Sequence, residues 1–362
     1  MSDANIKTLQ ENASVREFKL GNIEIGINSL PVIIPEIGIN HGGSLEIAKL
    51  MVDAAIENGA KLIKHQTHIV NDEMSASAKS VIPGNSLKSI YDVMAECALS
   101  EHDELELMRY AENKGITFLS TPFSRGAANR LEKFGVTGYK IGSGELNNYP
   151  LIEHIASFGK PMIISTGMNG ISAIEKTVNI LERKAIPYAL LHTTNLYPTA
   201  PQFVRLGAMQ QLMEYFPNVP IGLSDHTLNN NACIAAIALG ASIVERHFTD
   251  TKKRIGNDII CSMDGKELNE LVQASEEVFT MRGGTKSALP EEQVTIDFAF
   301  ATVVSIASIK KGELFTTQNI WVKRPGTGKI FAEKYNDVIG KTAAIDIAAD
   351  THLTREMINE AF

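Results

Sequence analysis

Eight short runs rich in valine and isoleucine, separated by longer stretches of helical period, constrain this 362-residue chain more than any other feature. They are "VIIPEIG" (32–38), "KLIKHQT" (61–67), "ITFLST" (116–121), "GYKIG" (138–142), "PMIIST" (161–166), "YALLHT" (188–193), "PIGLSD" (220–225) and "ASIVERHF" (241–248). Runs that are apolar throughout suit strands buried on both faces, as in a parallel sheet covered by helices. The segments between them read as those helices. After Ser44 as N-cap, Leu45, Ala48, Val52, Ala55 and Ile56 line one face, and Gly59 closes the element. Similar periods occupy 149–158, 170–184, 228–239 and 264–282. Eight strand-helix units predict a (β/α)8 barrel, although a doubly wound open sheet has the same alternation.

One unit is oversized. Residues 68–100, with "SVIPGNSLKSIYDVM", form a long strand-to-helix connection, which in a barrel lies at the catalytic face as a lid or substrate loop. After residue 282 the alternation stops at "RGGTKSALPEEQ". The division expected is a barrel with an N-terminal extension over 1–283, a linker over 284–296 and a small β-rich domain over 297–362 that holds Trp321. A net charge of -8 argues against nucleic-acid partners. The polar start "MSDANIKTLQENASVREF" and the lack of any bilayer-length apolar run point to a cytoplasmic protein without a membrane partner. Cys97, Cys233 and Cys261, odd in number and far apart, offer neither a disulfide framework nor a Cys-x-x-Cys site.

Side-chain parity locates the chemistry, because inward residues at the C-terminal strand ends make a barrel's active site. Glu36, then Lys64, Gln66 and His68, Thr121, Lys140, Ser165, Thr193 and Asn195, Ser224 and His226, and Glu245 and His247 meet that condition. Within "IKHQTHI" (63–69), His65 and His68 fall on opposite faces of a strand and cannot share a metal. His226 and His247, on neighbouring strands, could share one ion, or each could simply be hydrogen-bonded. Lys64 and Lys140 admit three readings: internal ion pairs with Glu36, Glu145 or Glu245, an anion site, or a Schiff-base lysine. Arg125, next to an expected helix N-terminus, favours phosphate. Glycines gather at the same rim in "GINHGGS", "KIGSGE" and "STGMNG", and "GSGE" lets backbone N–H groups and Ser143 approach an oxyanion.

The strings "IPEIGINHGGS", "IKHQTHIVNDEMS", "STPFSR", "YKIGSGELNNYPLI", "STGM", "HTTNLYP", "GLSDHT", "ERHFTD", "CSMD" and "WVKRPGTG" run in order from about residue 31 to 345. Together they resemble the bacterial sialic acid synthase (N-acetylneuraminate synthase) family. The resemblance implies a (β/α)8 TIM barrel followed by a small β-rich antifreeze-like (SAF) domain, in a domain-swapped homodimer. It implies condensation of phosphoenolpyruvate with open-chain N-acetylmannosamine, an N-acetylated amino sugar, to N-acetylneuraminate and phosphate with C–O cleavage. A divalent ion, Mn2+ or else Mg2+ or Co2+, would sit on His226 and His247. Lys64, Thr121, Lys140, Ser143, Ser165 and Ser224 would hold phosphoenolpyruvate, with Lys140 also catalytic. Glu36 would be the general base or acid and Glu145 a second carboxylate near the reacting carbons. Gln66, Asn195, Tyr197 and Asp258 would meet the sugar, and Arg324 of a partner would close over the N-acetyl group. The alternative is a sister synthase making a legionaminate- or pseudaminate-type acid from a diacetamido-trideoxy-hexose. "KHQTHIVNDEMS" favours N-acetylmannosamine, whereas "GND" (256–258) departs from the family's commonest string beside the sugar site. Two rivals from other classes are a metal-independent Schiff-base aldolase and a carbohydrate-binding protein built on the C-terminal module.

Overall fold

Each of the eight apolar runs is a strand in the computed structural model, which describes residues 17–84 and 86–360. After a hairpin of β1 (Phe18–Leu20) and β2 (Ile23–Ile25) come β3 (Val32–Gly38), β4 (Leu62–Thr67), β5 (Thr117–Pro122) and β6 (Tyr139–Ile141). The set continues with β7 (Met162–Ser165), β8 (Tyr188–Thr193), β9 (Ile221–Asp225) and β10 (Ile243–His247). Strands β3 to β10 are parallel and form a closed barrel, with β10 pairing back onto β3 through His247 and Glu36, so the open-sheet alternative is excluded.

Alternation along the strands separates two apolar cores. Ile33, Ile63, Phe118, Ile164, Leu190 and Val244 face outward and pack under the helices. Ile34, Leu62, Leu119, Ile163, Leu191 and Ile243 face inward. The inner cluster also takes in Phe18, Leu20 and Ile25, so the hairpin packs its apolar face against the N-terminal end of the barrel. The sequence reading did not anticipate this plug. Its cue is the short alternation "FKL" and "IEI", whose outer residues are apolar.

The helices follow their expected positions closely: Leu45–Glu57, Tyr149–Ala156, Ile171–Arg183, Asn231–Ala238 and Gly265–Met281. Ser44 Oγ accepts from Ile47 N at 3.3 Å, and Gly59 ends the first of these helices at φ +92°, a conformation that favours glycine. The long connection carries helical turns at Val70–Glu73 and Ala76–Ser80 and a helix at Ile90–Cys97.

One local expectation is corrected. The helix Arg125–Phe134 does not present its N-terminus to a ligand, because Asp72 Oδ2 accepts from Gly126 N at 2.7 Å, and Arg125 itself is exposed. A protein carboxylate already satisfies that helix end.

The chain divides into two units, Met1–Arg282 and Gly283–Phe362. In the second, the helix Gln293–Ala299 begins within the expected linker, and β11 (Thr302–Ser305) pairs antiparallel with β12 (Ile320–Lys323) over a core including Val303, Ile309, Phe315 and Leu353. Trp321 is 51% exposed there. Among the described residues no helix is long and apolar enough to cross a membrane, and no cysteine is disulfide-bonded.

Candidate active site

The C-terminal strand ends enclose two chambers in series. The inner one, about 150 Å³, is lined by Lys64, Lys140, the hydroxyls of Thr121, Ser143, Ser165, Thr193 and Ser224, and Glu245. The outer one, about 750 Å³, reaches under the long connection. Gln66, Phe123, Asn195, Tyr197 and His247 line both and form the waist between them.

Both lysines are buried in ion pairs, as the structural reading of them anticipated. Lys64 Nζ lies 3.4 Å from Glu36 Oε1 and 3.5 Å from Glu245 Oε1. Lys140 Nζ lies 3.7 Å from Glu245 Oε1 and donates to Ser165 Oγ at 2.6 Å and Ile141 O at 3.1 Å. Ser224 Oγ donates to Glu245 Oε1 at 3.1 Å. Burial pushes Lys64 down, but Glu245 and Glu36 more than reverse it, so its ammonium is held above the usual lysine range. Burial wins at Lys140: with the nearby Lys64 charge it pushes the group down to about 8, against the pull of Glu245.

Two imidazoles face the same chamber, their ring centroids 5.2 Å apart. His226 Nδ1 is 2.8 Å from Thr194 O, and His247 Nδ1 is 2.5 Å from Glu36 Oε2. His226 Nδ1 therefore faces an acceptor, which assigns the proton to it and leaves Nε2 for a ligand, whereas His247 is held by its ion pair with Glu36: burial pushes that imidazole down, but Asp258 and Glu36 more than reverse it and favour its protonated form. Burial and the neighbouring His247 push His226 down to about 3, keeping it the neutral imidazole that binds metals. Among the described residues no group of three or more His, Cys, Asp or Glu is arranged to hold a metal ion, so His226 and His247 are the residues that would hold one here. Lys64 and Lys140 are balanced by Glu36 and Glu245, so the paired side chains bring little net charge to the chamber.

Glu36 stands elsewhere than its expected role requires. It is 1% exposed, does not line either chamber, and is tied to His247, Lys64 and Gln66 Nε2, the last at 3.1 Å. Burial raises its carboxyl, but Lys64 and His247 overcome that and hold it far below the usual range, which makes it an orienting anion and a poor proton acceptor. Glu145 also lies outside both chambers, accepting from Asn148 Nδ2 at 2.7 Å, with its carboxyl raised by burial and by Glu73. Asp258 lines the outer chamber. Arg324 is in the second unit and exposed. Within "IKHQTHI", His65 turns outward, stacked 5.8 Å from Phe118, while His68 contacts Gln66 Oε1 at 3.0 Å and Glu73 at 2.8 Å.

Two features in and beside the chambers prepare for a ligand. Asn195 Oδ1 and Thr121 Oγ1 are buried without hydrogen-bond partners among the described residues, an unfavourable state that a ligand's donors would relieve. Gly167, in "STGM", is held to glycine by space: a Cβ there would lie 1.9 Å from Asn195 Oδ1 and 2.8 Å from Ser143 Oγ. A third feature escaped the sequence reading. Behind the histidines, Arg246 is fully buried, 3.3 Å from Asp225 Oδ2, and donates to Asn230 Oδ1 at 2.7 Å and Thr227 O at 2.8 Å. The available signal was that Arg246 and Asp225 are both outward residues in register on adjacent strands.

The chain is similar to proteins of known type over nearly their whole length. The chain is 35% identical to the N,N'-diacetyllegionaminic acid synthase of Campylobacter jejuni, over 90% of this chain and 99% of that one. It is 31% identical to the human N-acetylneuraminate-9-phosphate synthase, over 90% and 92%. The crystal structure of the N-acetylneuraminic acid synthetase of Leptospira borgpetersenii, with citrate bound, superposes with a TM-score of 0.72 at 32% identity, covering 79% of this chain and 96% of that one. The model of the SAF domain matches residues 300–359 and that of the NeuB family residues 51–287, and the chain belongs to the NeuB family.

Proposed function

We propose that the chain condenses phosphoenolpyruvate with the open-chain aldehyde of an N-acetylated, mannosamine-type sugar, giving a nonulosonic acid and inorganic phosphate. The observation that carries this reading is the inner chamber, where two buried ammonium groups and five hydroxyls stand beside two imidazoles. Carboxylate and phosphate groups fit the lysines and hydroxyls, and the aldehyde fits the waist next to His247. C3 of phosphoenolpyruvate forms the new C–C bond to the aldehyde carbon, water adds at C2, and the C2–O bond to phosphate breaks.

The chain's own groups have distinct parts in this. Lys64, Lys140, Thr121, Ser143, Ser165 and Ser224 bind and orient the anionic substrate. Lys140, pushed down to about 8, can give a proton to the departing phosphate near neutral pH. Glu36 fixes the ring of His247, and Glu245 holds both ammonium groups in place. Gln66, Asn195 and Tyr197 meet the sugar at the waist, with Asp258 beyond them. A divalent ion on His226 and His247, Mn2+ first among Mg2+ and Co2+, would supply Lewis-acid polarisation of the aldehyde oxygen. Arg324 of a second copy in a homodimer completes the proposal. N-acetylmannosamine and a diacetamido-trideoxy hexose both satisfy the inner chamber, since they differ only at carbons remote from the aldehyde.

The test is phosphate release with both substrates, before and after chelation. Release that needs phosphoenolpyruvate and sugar together, stops with chelator and returns with Mn2+ supports the reading. Release that survives chelation, with a lysine adduct trapped by borohydride, would replace it with Schiff-base chemistry at Lys64 or Lys140.

A further inference from the structure

The ladder between β9 and β10 stops one residue short of the two chamber histidines. Its last pair in register is Asp225 with Arg246, and His226 and His247 come next on the two strands. His247 is still paired on its other side, with Glu36 of β3, whereas β9 ends at Asp225 and His226 has left the sheet. Pairing between these two strands therefore ends before the imidazoles, and their spacing needs another constraint.

Arg246 supplies it. Its guanidinium is fully buried on the outer side of the barrel and reaches three stretches of chain. Nε lies 3.3 Å from Asp225 Oδ2, Nη1 donates to Asn230 Oδ1 at 2.7 Å, and Nη2 donates to Thr227 O at 2.8 Å and to Cys261 O at 3.4 Å. Asp225 in turn accepts from Thr227 N at 3.1 Å and Thr227 Oγ1 at 2.8 Å, which closes a turn around His226. His247 follows Arg246 directly, and its carbonyl accepts from Met263 N at 2.8 Å, two residues beyond Cys261. One side chain thus holds the groups on both sides of His226 and the residue that carries His247.

Stability alone is a poor reason for this arrangement. A buried ion pair adds little over apolar side chains of the same volume. What apolar packing lacks is a planar fork whose donors point in fixed directions. Resting on the metal site proposed above, we infer that Arg246 is a positioning residue for it: through Asp225 and Thr227 it fixes the separation of His226 and His247, 5.2 Å between ring centroids, and so sets the affinity for a divalent ion. The lysines of the inner chamber stand on β4 and β6, away from this clamp.

The experiment titrates the full chain, stripped of metal, with Mn2+ and reads free Mn2+ by electron paramagnetic resonance. Arg246→Lys keeps a cation for Asp225 and loses the fork, so the Kd for Mn2+ should rise about tenfold, within the range for residues that orient metal ligands. The Kd for phosphoenolpyruvate, measured calorimetrically on the metal-free chain, should be unchanged. Thr227→Val, nearly isosteric, opens the turn around His226 and should weaken Mn2+ in the same sense, which decides the matter if Arg246→Lys does not fold. Folded variants that bind Mn2+ as the parent does overturn the inference, as does a Kd for phosphoenolpyruvate that rises in step with that for Mn2+, the mark of general loosening. Failure of the metal site itself is read separately: a parent that does not bind Mn2+, or binds it equally well after His226→Ala, overturns that site and the inference with it.

Discussion

Replacing Lys140 by methionine should make the free protein more stable while removing its activity. Burial holds the ammonium at about 8 instead of the usual 10.5. At about 1.4 kcal/mol per pKa unit, the charged group opposes folding by roughly 3 kcal/mol at pH 7. Methionine removes that term and leaves Ser165 Oγ and Ile141 O without their donor, a loss of about 1 to 2 kcal/mol. The net expectation is a gain of about 1 to 2 kcal/mol. The sign with pH follows from the depressed lysine value: its penalty is complete below about 8, shrinks as pH rises, and is gone above 10.5. The variant's advantage should therefore be largest at neutral pH, shrink as pH rises above about 8 and reverse before pH 10.5, where only the lost hydrogen bonds remain. Urea unfolding followed by far-UV circular dichroism reads the barrel helices, whereas Trp321 fluorescence would report the second unit. Saturating phosphoenolpyruvate should stabilise the parent by about 3 kcal/mol at a hundredfold excess over Kd and leave the variant unmoved. A variant less stable than the parent at pH 7, or a difference that ignores pH, refutes the reasoning.

Gly167→Ala should leave unfolding unchanged, since its φ is not in the left-handed region, yet raise the KM for sugar about tenfold or more by displacing Asn195 and Ser143, read by varying each substrate in turn. Burial raises the carboxyl of Glu104, but His65, Thr67 and Arg130 outweigh it and hold the group below its usual 4.5. Its stabilisation is therefore complete above 4.5 and lost as pH falls below it, so Glu104→Gln should flatten the acid limb of a stability–pH curve. Arg246→Met leaves Asp225 buried without its ion partner and should cost about 3 to 5 kcal/mol, whereas the added Asp225→Asn should return much of it in a double-mutant cycle of unfolding free energies.

Strand positions were legible because a barrel strand is buried on both faces, which writes an uninterrupted apolar run into the sequence, and parity then placed Lys64, Lys140, Ser165, Ser224, His226 and His247 on one chamber. Parity says where a side chain starts and not what it meets. Glu36 shares the inward face with Lys64, but it is also in register with His247 of β10, and the carboxylate ends against that imidazole. Arg125 looked available because Asp72, the partner of Gly126 N at its helix end, lies 54 residues before that glycine, beyond any local pattern. Arg246 reads as an ordinary strand charge until β9 supplies Asp225.

The hairpin at the foot of the barrel has a kinetic consequence. Phe18, Leu20 and Ile25 stop that end with apolar side chains, so traffic uses one doorway, and the chambers fill in sequence like berths along a dead-end quay. In the proposed reaction phosphoenolpyruvate would dock furthest in, so it should arrive before the sugar, and a sugar that arrives early should block the way. Initial rates should therefore show compulsory order, with inhibition by excess sugar that rising phosphoenolpyruvate relieves.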